Sequence, residues 1–153
     1  AVVAAAGNDA TVEPMFPAGF AVRPDDPDAV PLVSVGALNP DHGTIAYFSN
    51  DGPWVRCRRP GAALVSTMPR TFQGPLQAIA ANEPPGLAAR ATVDIDDYSG
   101  GFGIWSGTSF AAPILAAQVA RRLVDTPDLA DVSVAAMVRR GQKAVAAELA
   151  EDG

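Results

Sequence analysis

The sequence has few of the residues that most often carry out chemistry at neutral pH. Its 153 residues include one cysteine, Cys57, and one histidine, His42. A single cysteine excludes a disulfide within the chain and leaves export neither supported nor excluded. A mechanism that needs a histidine base must therefore use His42 or a histidine outside this sequence.

Two other absences narrow the class of protein. Eleven Lys and Arg stand against seventeen Asp and Glu without forming a basic block, which argues against nucleic-acid binding. No stretch reaches the roughly 18 apolar residues of a membrane span. The composition is 48% hydrophobic and 18% charged, which is typical of a globular domain with a buried α/β core.

The chain opens inside what resembles a protein core. Its first nine residues, "AVVAAAGND", lack an initiator Met and the layout of a signal peptide. Small and β-branched residues in an unbroken run predict a strand of a parallel sheet that is buried on both faces. Because a natural chain seldom begins within its core, we expect residues 1–153 to be the C-terminal portion of a larger domain.

The rest of the sequence predicts strands first and helices last. We predict a surface loop over 10–29 and a buried strand over 30–38. Two short strands, at 44–50 and 54–58, are predicted to form an antiparallel pair near an edge of the sheet, and a further strand follows at 60–68. Residues 69–106 form a long irregular stretch, and such loops are usually functional or flexible.

Two helices are predicted near the end of the chain. Ala and larger apolar residues on all sides predict that 109–124 is a central buried helix. The second helix runs over 132–149, with Asp131 or Ser133 as its N-cap and Gly141 as a weak point or a break. Together these elements indicate a three-layer α/β domain with a mainly parallel sheet.

Ser109 stands where the central helix begins. The N–H groups of a helix start have no partner within the helix and carry about half a positive charge, which favours an attacking alkoxide and an oxyanion. Gly107 leaves room for a substrate backbone to approach. Spacing alone favours a simpler role, because Ser is among the preferred N-cap residues.

Six ordered segments carry a resemblance to a known family. Residues 107–113, "GTSFAAP", resemble the G-T-S-x-A-x-P nucleophile motif of subtilisin-like serine proteases, and "AAAGND" resembles their A-A-G-N segment. The four segments between them are similar to the family's turn, strand, hairpin and strand motifs: "MFPAGF", "VPLVSVGAL", "AYFSNDGPWV" and "RPGAALVST". Together they cover most of residues 1–68 and 105–124. The resemblance implies a subtilisin-like fold and a serine endopeptidase that acts through an acyl-enzyme.

The resemblance also implies roles for individual residues. Ser109 is the expected nucleophile, and Asn8 is the expected donor to the oxyanion, although an Asn after a strand is also an ordinary turn residue. The resemblance assigns a substrate-binding role to Ala6, Gly7, Asp9, Pro17, Ala18 and Thr108. An acid at position 9 favours substrates with basic side chains.

The catalytic base is missing from this sequence. His42 lies in "DHGT", similar to the family's H-G-T motif, but it follows Asn8 where the family's order places the histidine earlier. We therefore predict that His42 is an exposed turn residue and that the catalytic Asp and His come from upstream sequence or from a separate chain. The chain alone is then inactive. The alternative is a non-catalytic protein-interaction domain on a degenerate subtilisin-like fold.

The remaining features are less specific. Asp94, Asp96 and Asp97 have a spacing compatible with Ca²⁺, which many subtilisin-like proteases bind. An ordinary solvated acidic loop is the favoured interpretation, so we expect no cofactor. The stretch 69–106 is longer than the family's link and is interpreted as an insertion. The resemblance implies a peptide or protein substrate and a secreted or cell-envelope location.

Overall fold

Parallel strands form the centre of the fold in the computed structural model. The structure describes residues 1–23, 25–72, 81–92, 98–126 and 130–150. Strands β1 (Val2–Ala5), β2 (Leu32–Leu38) and β3 (Cys57–Pro60) pair side by side in that order, and both pairings are parallel. In register, Val3 lies opposite Val33, and Val35 lies opposite Cys57. The parallel α/β class predicted from the sequence is confirmed.

The central strand β2 has a buried core on each face. Because side chains alternate along a strand, Val33, Val35 and Ala37 face one side, where they pack with residues of the two helices. Leu32 faces the other side and packs against the cluster that contains Trp54. Ser34 also lies on that side, and its hydroxyl donates to the Trp54 carbonyl at 2.5 Å. Both helices of the described chain thus contribute to one face of the sheet.

Helix α1 (Thr108–Val124) packs on all three strands. Leu115 and Val119 are buried against the sheet, whereas Ala116, Ala117 and Ala120 are exposed. The apolar residues that surround this helix in the sequence are therefore buried on one side only within the described part of the chain.

Helix α2 (Val134–Ala150) packs on α1. Ser133 is its N-cap, because the Ser133 hydroxyl accepts the N–H of Ala136 at 3.3 Å. The helix continues through Gly141, so the break that the sequence suggests is not formed. A Cβ on Gly141 would stand only 2.6 Å from Cγ2 of Val30, so this glycine allows α2 to approach the chain entering β2.

A buried ion pair joins the sheet to both helices. Arg59 of β3 and Glu148 of α2 are each less than a tenth exposed, and Nη2 lies 3.6 Å from Oε2. Arg59 Nε donates to Gln118 of α1 at 2.6 Å, and Arg122 of α1 pairs with Glu148. The end of β3 is thereby tied to α1 and α2.

The predicted antiparallel strand pair at 44–50 and 54–58 is wrong. Only Ile45 of the first segment makes a bridge, to Leu38. The second segment contributes Cys57 and Arg58 to β3, which runs parallel to β2. The chain turns after Ile45 because side chains replace strand pairing: the Ser49 hydroxyl accepts the Ala37 N–H at 3.0 Å.

The chain forms two compact units, of which the second is Val65–Trp105. Strand β4 (Leu64–Thr67), at the boundary of this unit, pairs with β7 (Phe102–Trp105), and the short strands β5 (Ala81–Asn82) and β6 (Arg90–Ala91) form an antiparallel pair. The rings of Phe72 and Tyr98 lie 5.8 Å apart. The described part of this stretch thus contains short strands where the sequence predicts an irregular loop.

Candidate active site

The start of α1 is fixed to the end of the sheet by two glycines. The N–H of Gly107, the residue before the helix, donates to the carbonyl of Gly61 at 2.7 Å. Gly61 follows β3, and a Cβ there would stand 2.6 Å from the Ala37 Cβ and 3.1 Å from the Gly107 carbonyl. Only a residue without a side chain allows this approach, so Gly61 sets the position of the first turn of α1.

Asn8 lies just after β1, and its side chain is bonded to the same helix start. Its Oδ1 accepts the Thr108 N–H at 2.8 Å and the Thr108 hydroxyl at 3.0 Å. The Thr108 hydroxyl in turn accepts the Gly7 N–H at 3.0 Å. Thr108 is 1% exposed, and its bond with Gly7 is buried, whereas its two bonds with Asn8 are part-buried. The segment after β1 and the start of α1 therefore share one closed hydrogen-bond network.

This network fixes which end of the Asn8 carboxamide is available. A backbone N–H can only donate, so the atom that faces Thr108 must be Oδ1, and Nδ2 is left free of that contact. Asn8 Nδ2 lies 3.4 Å, and Ser109 Oγ 3.2 Å, from the position that a Cβ would take on Gly107. Both atoms thus lie near the same point, beside a residue with no side chain, and both Asn8 and Ser109 are exposed.

The first turn of α1 gives this site a positive potential. Its N–H groups have no acceptor within the helix and carry the positive end of the helix dipole. Those of Thr108 and Phe110 are taken up by Asn8 Oδ1 and by the Gly107 carbonyl. For the Ser109 N–H, the described residues provide no such acceptor.

The residues with an expected substrate-binding role lie in different surroundings. Gly7 and Thr108 belong to the network beside Ser109, and Asp9 is exposed next to Asn8. Ala6 and Ala18 are 0% exposed, and their side chains pack in the core on the far face of the sheet from α1. Pro17 is exposed and precedes a short 3-10 helix, Ala18–Val22.

His42 lies in an exposed turn, as the sequence predicts. Its φ is +57° and its N–H donates to the Asn39 carbonyl at 3.0 Å. The neighbouring Asp41 carboxylate accepts the Thr44 hydroxyl at 2.7 Å, and this bond is the main cause that lowers the pKa of Asp41. The groups around His42 therefore hold a turn together.

The sequence does not identify two residues that bear on the site, Gly61 and Asn50. The sequence places Gly61 only in a strand motif, and Asn50 only in a hairpin motif. Asn50 is 1% exposed and makes four hydrogen bonds with its side chain. An Asn-Asp-Gly sequence predicts a turn, and nothing local to it reveals that the carboxamide is buried.

The predicted acidic cluster cannot be placed. Asp94, Asp96 and Asp97 fall outside the described residues. Among those that the structure does describe, no three His, Cys, Asp or Glu side chains gather closely enough to hold a metal ion.

The two helices differ from those that cross a bilayer. Within the described ranges, neither α1 nor α2 combines the length and the apolar character that a membrane crossing requires.

The serine hydroxyl and the carboxamide lie at the start of a helix that packs on a parallel sheet, and this architecture places the chain in the α/β class. The model of the subtilase family matches residues 1–151. The chain belongs to the subtilase family, and the family resemblance given by the motifs is confirmed.

Comparison with solved structures includes the following match. The crystal structure of a cold adapted subtilisin-like serine proteinase is 22% identical in sequence, with a TM-score of 0.47. The similarity covers 86% of this chain and 34% of the proteinase, so the chain spans about one third of the proteinase's length. A search of curated proteins found no match.

Proposed function

We propose that this chain supplies the nucleophile and an oxyanion donor of a serine endopeptidase. The observation that carries the proposal is the position of Ser109 Oγ and Asn8 Nδ2, 3.2 and 3.4 Å from the same point beside Gly107. Membership of the subtilase family supports this kind of chemistry. The network through Thr108 holds the amide donor rigid, and rigid donors give the largest contribution to such catalysis.

The proposed reaction has two stages. Ser109 Oγ attacks the carbonyl carbon of a peptide bond while a base takes its proton, and the negative oxygen that forms accepts hydrogen bonds from Asn8 Nδ2 and the Ser109 N–H. When the intermediate collapses, the C–N bond breaks and the amine leaves with that proton. Water then hydrolyses the acyl-serine by the same route in reverse.

The proposed base comes from outside these 153 residues. A serine hydroxyl needs a positioned base to become nucleophilic at neutral pH. His42 lies in an exposed turn held by Asp41 and Asn39, so it does not fill this role. An Asp and a His from upstream sequence, or from a separate chain, complete the site, and the 153-residue chain alone is inactive.

The proposed substrate is a peptide or protein segment bound beside Ser109. Gly7 and Thr108 place backbone next to the nucleophile, and the exposed carboxylate of Asp9 favours a basic side chain. Because the side chains of Ala6 and Ala18 are buried in the core, these two residues contribute only by shaping the backbone beside the proposed substrate site. The proposal also includes a secreted or cell-envelope location for the protein, because many subtilases are secreted.

Labelling by a fluorophosphonate tests the proposed nucleophile. The full-length protein should label, and Ser109→Ala should abolish labelling, whereas Ser66→Ala, at an exposed serine of β4, should not change it. Asn8→Ala should slow peptide hydrolysis by about 100- to 1000-fold, the range established for the loss of such a donor in a subtilisin, itself a member of this family. Labelling that persists in Ser109→Ala, or no labelling at all, would favour the interaction domain.

A further inference from the structure

Asn50 lies beneath the segment that carries Asn8. This residue is 1% exposed, and its backbone N–H donates to the Gly7 carbonyl at 2.9 Å. A Cβ on Gly7 would stand 2.4 Å from Asn50 Nδ2, so the main chain on the N-terminal side of Asn8 runs directly over this carboxamide.

The side chain of Asn50 uses its whole hydrogen-bonding capacity on the same segment. Its Oδ1 accepts the N–H groups of Asp9 and Thr11 at 2.8 and 3.3 Å. Its Nδ2 donates to the Ala6 carbonyl at 3.1 Å and to Asp9 Oδ2 at 3.5 Å. A carboxamide offers two acceptor and two donor sites, and all four are occupied.

These bonds bracket Asn8 without touching it. The partners of Asn50 lie before Asn8, at residues 6 and 7, and after it, at residues 9 and 11. The side chain of Asn8 then bonds to Thr108 across the site. Asn50 thus fixes the main chain on both sides of the amide donor, while Thr108 fixes its side chain.

Resting on the function proposed above, we propose that Asn50 is a positioning residue for the oxyanion donor Asn8. Removing its carboxamide leaves the buried Ala6 carbonyl and the part-buried N–H groups of Asp9 and Thr11 without this partner, and such groups shift to find new ones. Asn8 Nδ2 then no longer meets the oxyanion at the correct position. Because this donor acts on the transition state, the loss falls on kcat and leaves KM little changed.

Kinetics of the full-length protein on a chromogenic peptide amide test this role. Asn50→Ala is expected to lower kcat by up to about 100-fold, since a displacement of the order of 1 Å costs that much. The matched control is Asn39→Ala, which removes an exposed turn carboxamide bonded to Thr44 and Ile45 and should leave kcat unchanged.

A double-mutant cycle separates positioning from a general structural effect. If Asn50 acts through Asn8, the variant Asn8→Ala/Asn50→Ala has the kcat of Asn8→Ala alone. Losses that multiply, an unchanged kcat in Asn50→Ala, or a rise confined to KM would each overturn the inference. If Asn50→Ala does not fold, Asn50→Asp replaces it in the same cycle, because it keeps the shape and the acceptor but loses the donor to Ala6.

The outcomes also separate this inference from the proposed function. Absence of fluorophosphonate labelling that depends on Ser109 overturns the proposed function and the inference with it. Labelling that depends on Ser109 and slows in Asn8→Ala, but not in Asn50→Ala, overturns the inference alone.

Discussion

Thr108 has one hydroxyl and uses it in both directions, accepting from the Gly7 N–H and donating to Asn8 Oδ1. Thr108→Val keeps the shape of the side chain and removes both bonds. Because the Gly7 N–H is buried, we expect the free energy of unfolding to fall by about 1–3 kcal/mol. Urea unfolding measures this loss, and labelling of Ser109 should slow in the same variant.

Thr108→Ser is the control for this prediction. It keeps the hydroxyl and so should retain most of the labelling rate. Equal rates for the valine and serine variants would show that the hydroxyl does not hold Asn8 in place.

The sequence predicts the residues of the site unequally. Ser109 and Asn8 stand in motifs with strong local patterns, so the resemblance identifies them, and the structure brings them together beside Gly107. Their catalytic roles stay predictions. Asn50 escapes prediction because its function depends on burial under residues 6–11, about forty positions away in the chain. No local pattern carries that information.

Within helix α2, the effect of replacing Gly141 depends on its contact with Val30 more than on helix propensity. In a helix, Gly→Ala usually stabilises by up to about 1 kcal/mol. Here the added methyl would stand 2.6 Å from Val30 Cγ2, and a β-branched side chain cannot easily turn away. We expect Gly141→Ala to lower the free energy of unfolding by about 1–3 kcal/mol instead.

Thermal and urea unfolding test the Gly141 prediction, and a second substitution identifies its cause. Combining Gly141→Ala with Val30→Ala removes the clash, so the double variant should lose less stability than the sum of the two single variants. Strict additivity would mean that the two elements move apart without strain.

The sequence predicts elements best where apolar patterns are long. The strand at 30–38 and both helices are found near their predicted positions, as β2, α1 and α2. The segment 44–50 has strand-forming residues, yet Ser49 takes up the backbone N–H of Ala37 and the chain turns. Competition from a side chain of this kind depends on a neighbouring strand, so local propensity does not reveal it.

At the scale of the whole molecule, one ion pair links stability to pH. The hydrogen bond from Arg56 lowers the pKa of Asp25 below its usual 3.8. Burial of Asp25 raises this pKa in part, and the positive charge of Arg56 lowers it further. A lowered pKa contributes stability that is present above 3.8 and is lost as the pH falls through the folded value. Because Asp25 is 48% exposed, we expect a contribution below about 1 kcal/mol.

Urea unfolding at neutral pH and well below the usual pKa of Asp measures this contribution. Asp25→Asn and Arg56→Gln should each lower stability at neutral pH, and for Asp25→Asn the difference from the wild type should vanish in acid. A difference that is the same at both pH values would show that the pair does not titrate with folding.

The family and the parallel sheet can be predicted from this sequence because its motifs occur in a fixed order. The division into two compact units cannot, because the strands in the described part of residues 65–105 are short and have weak patterns. The network between Asn8 and Thr108 joins residues 100 positions apart, and only the folded chain places them in contact.

The hydrogen bond between Gly107 and Gly61 has a counterpart at the next residues, where the Ala63 N–H donates to the Ser106 hydroxyl at 2.8 Å. The chain segments before and after residues 65–105 are therefore joined to each other by these two hydrogen bonds. Because both ends of this segment are anchored, its length can change at a small cost in loop-closure entropy. An insertion or a deletion within residues 65–105 is therefore expected to leave the start of α1, and Ser109 with it, in place.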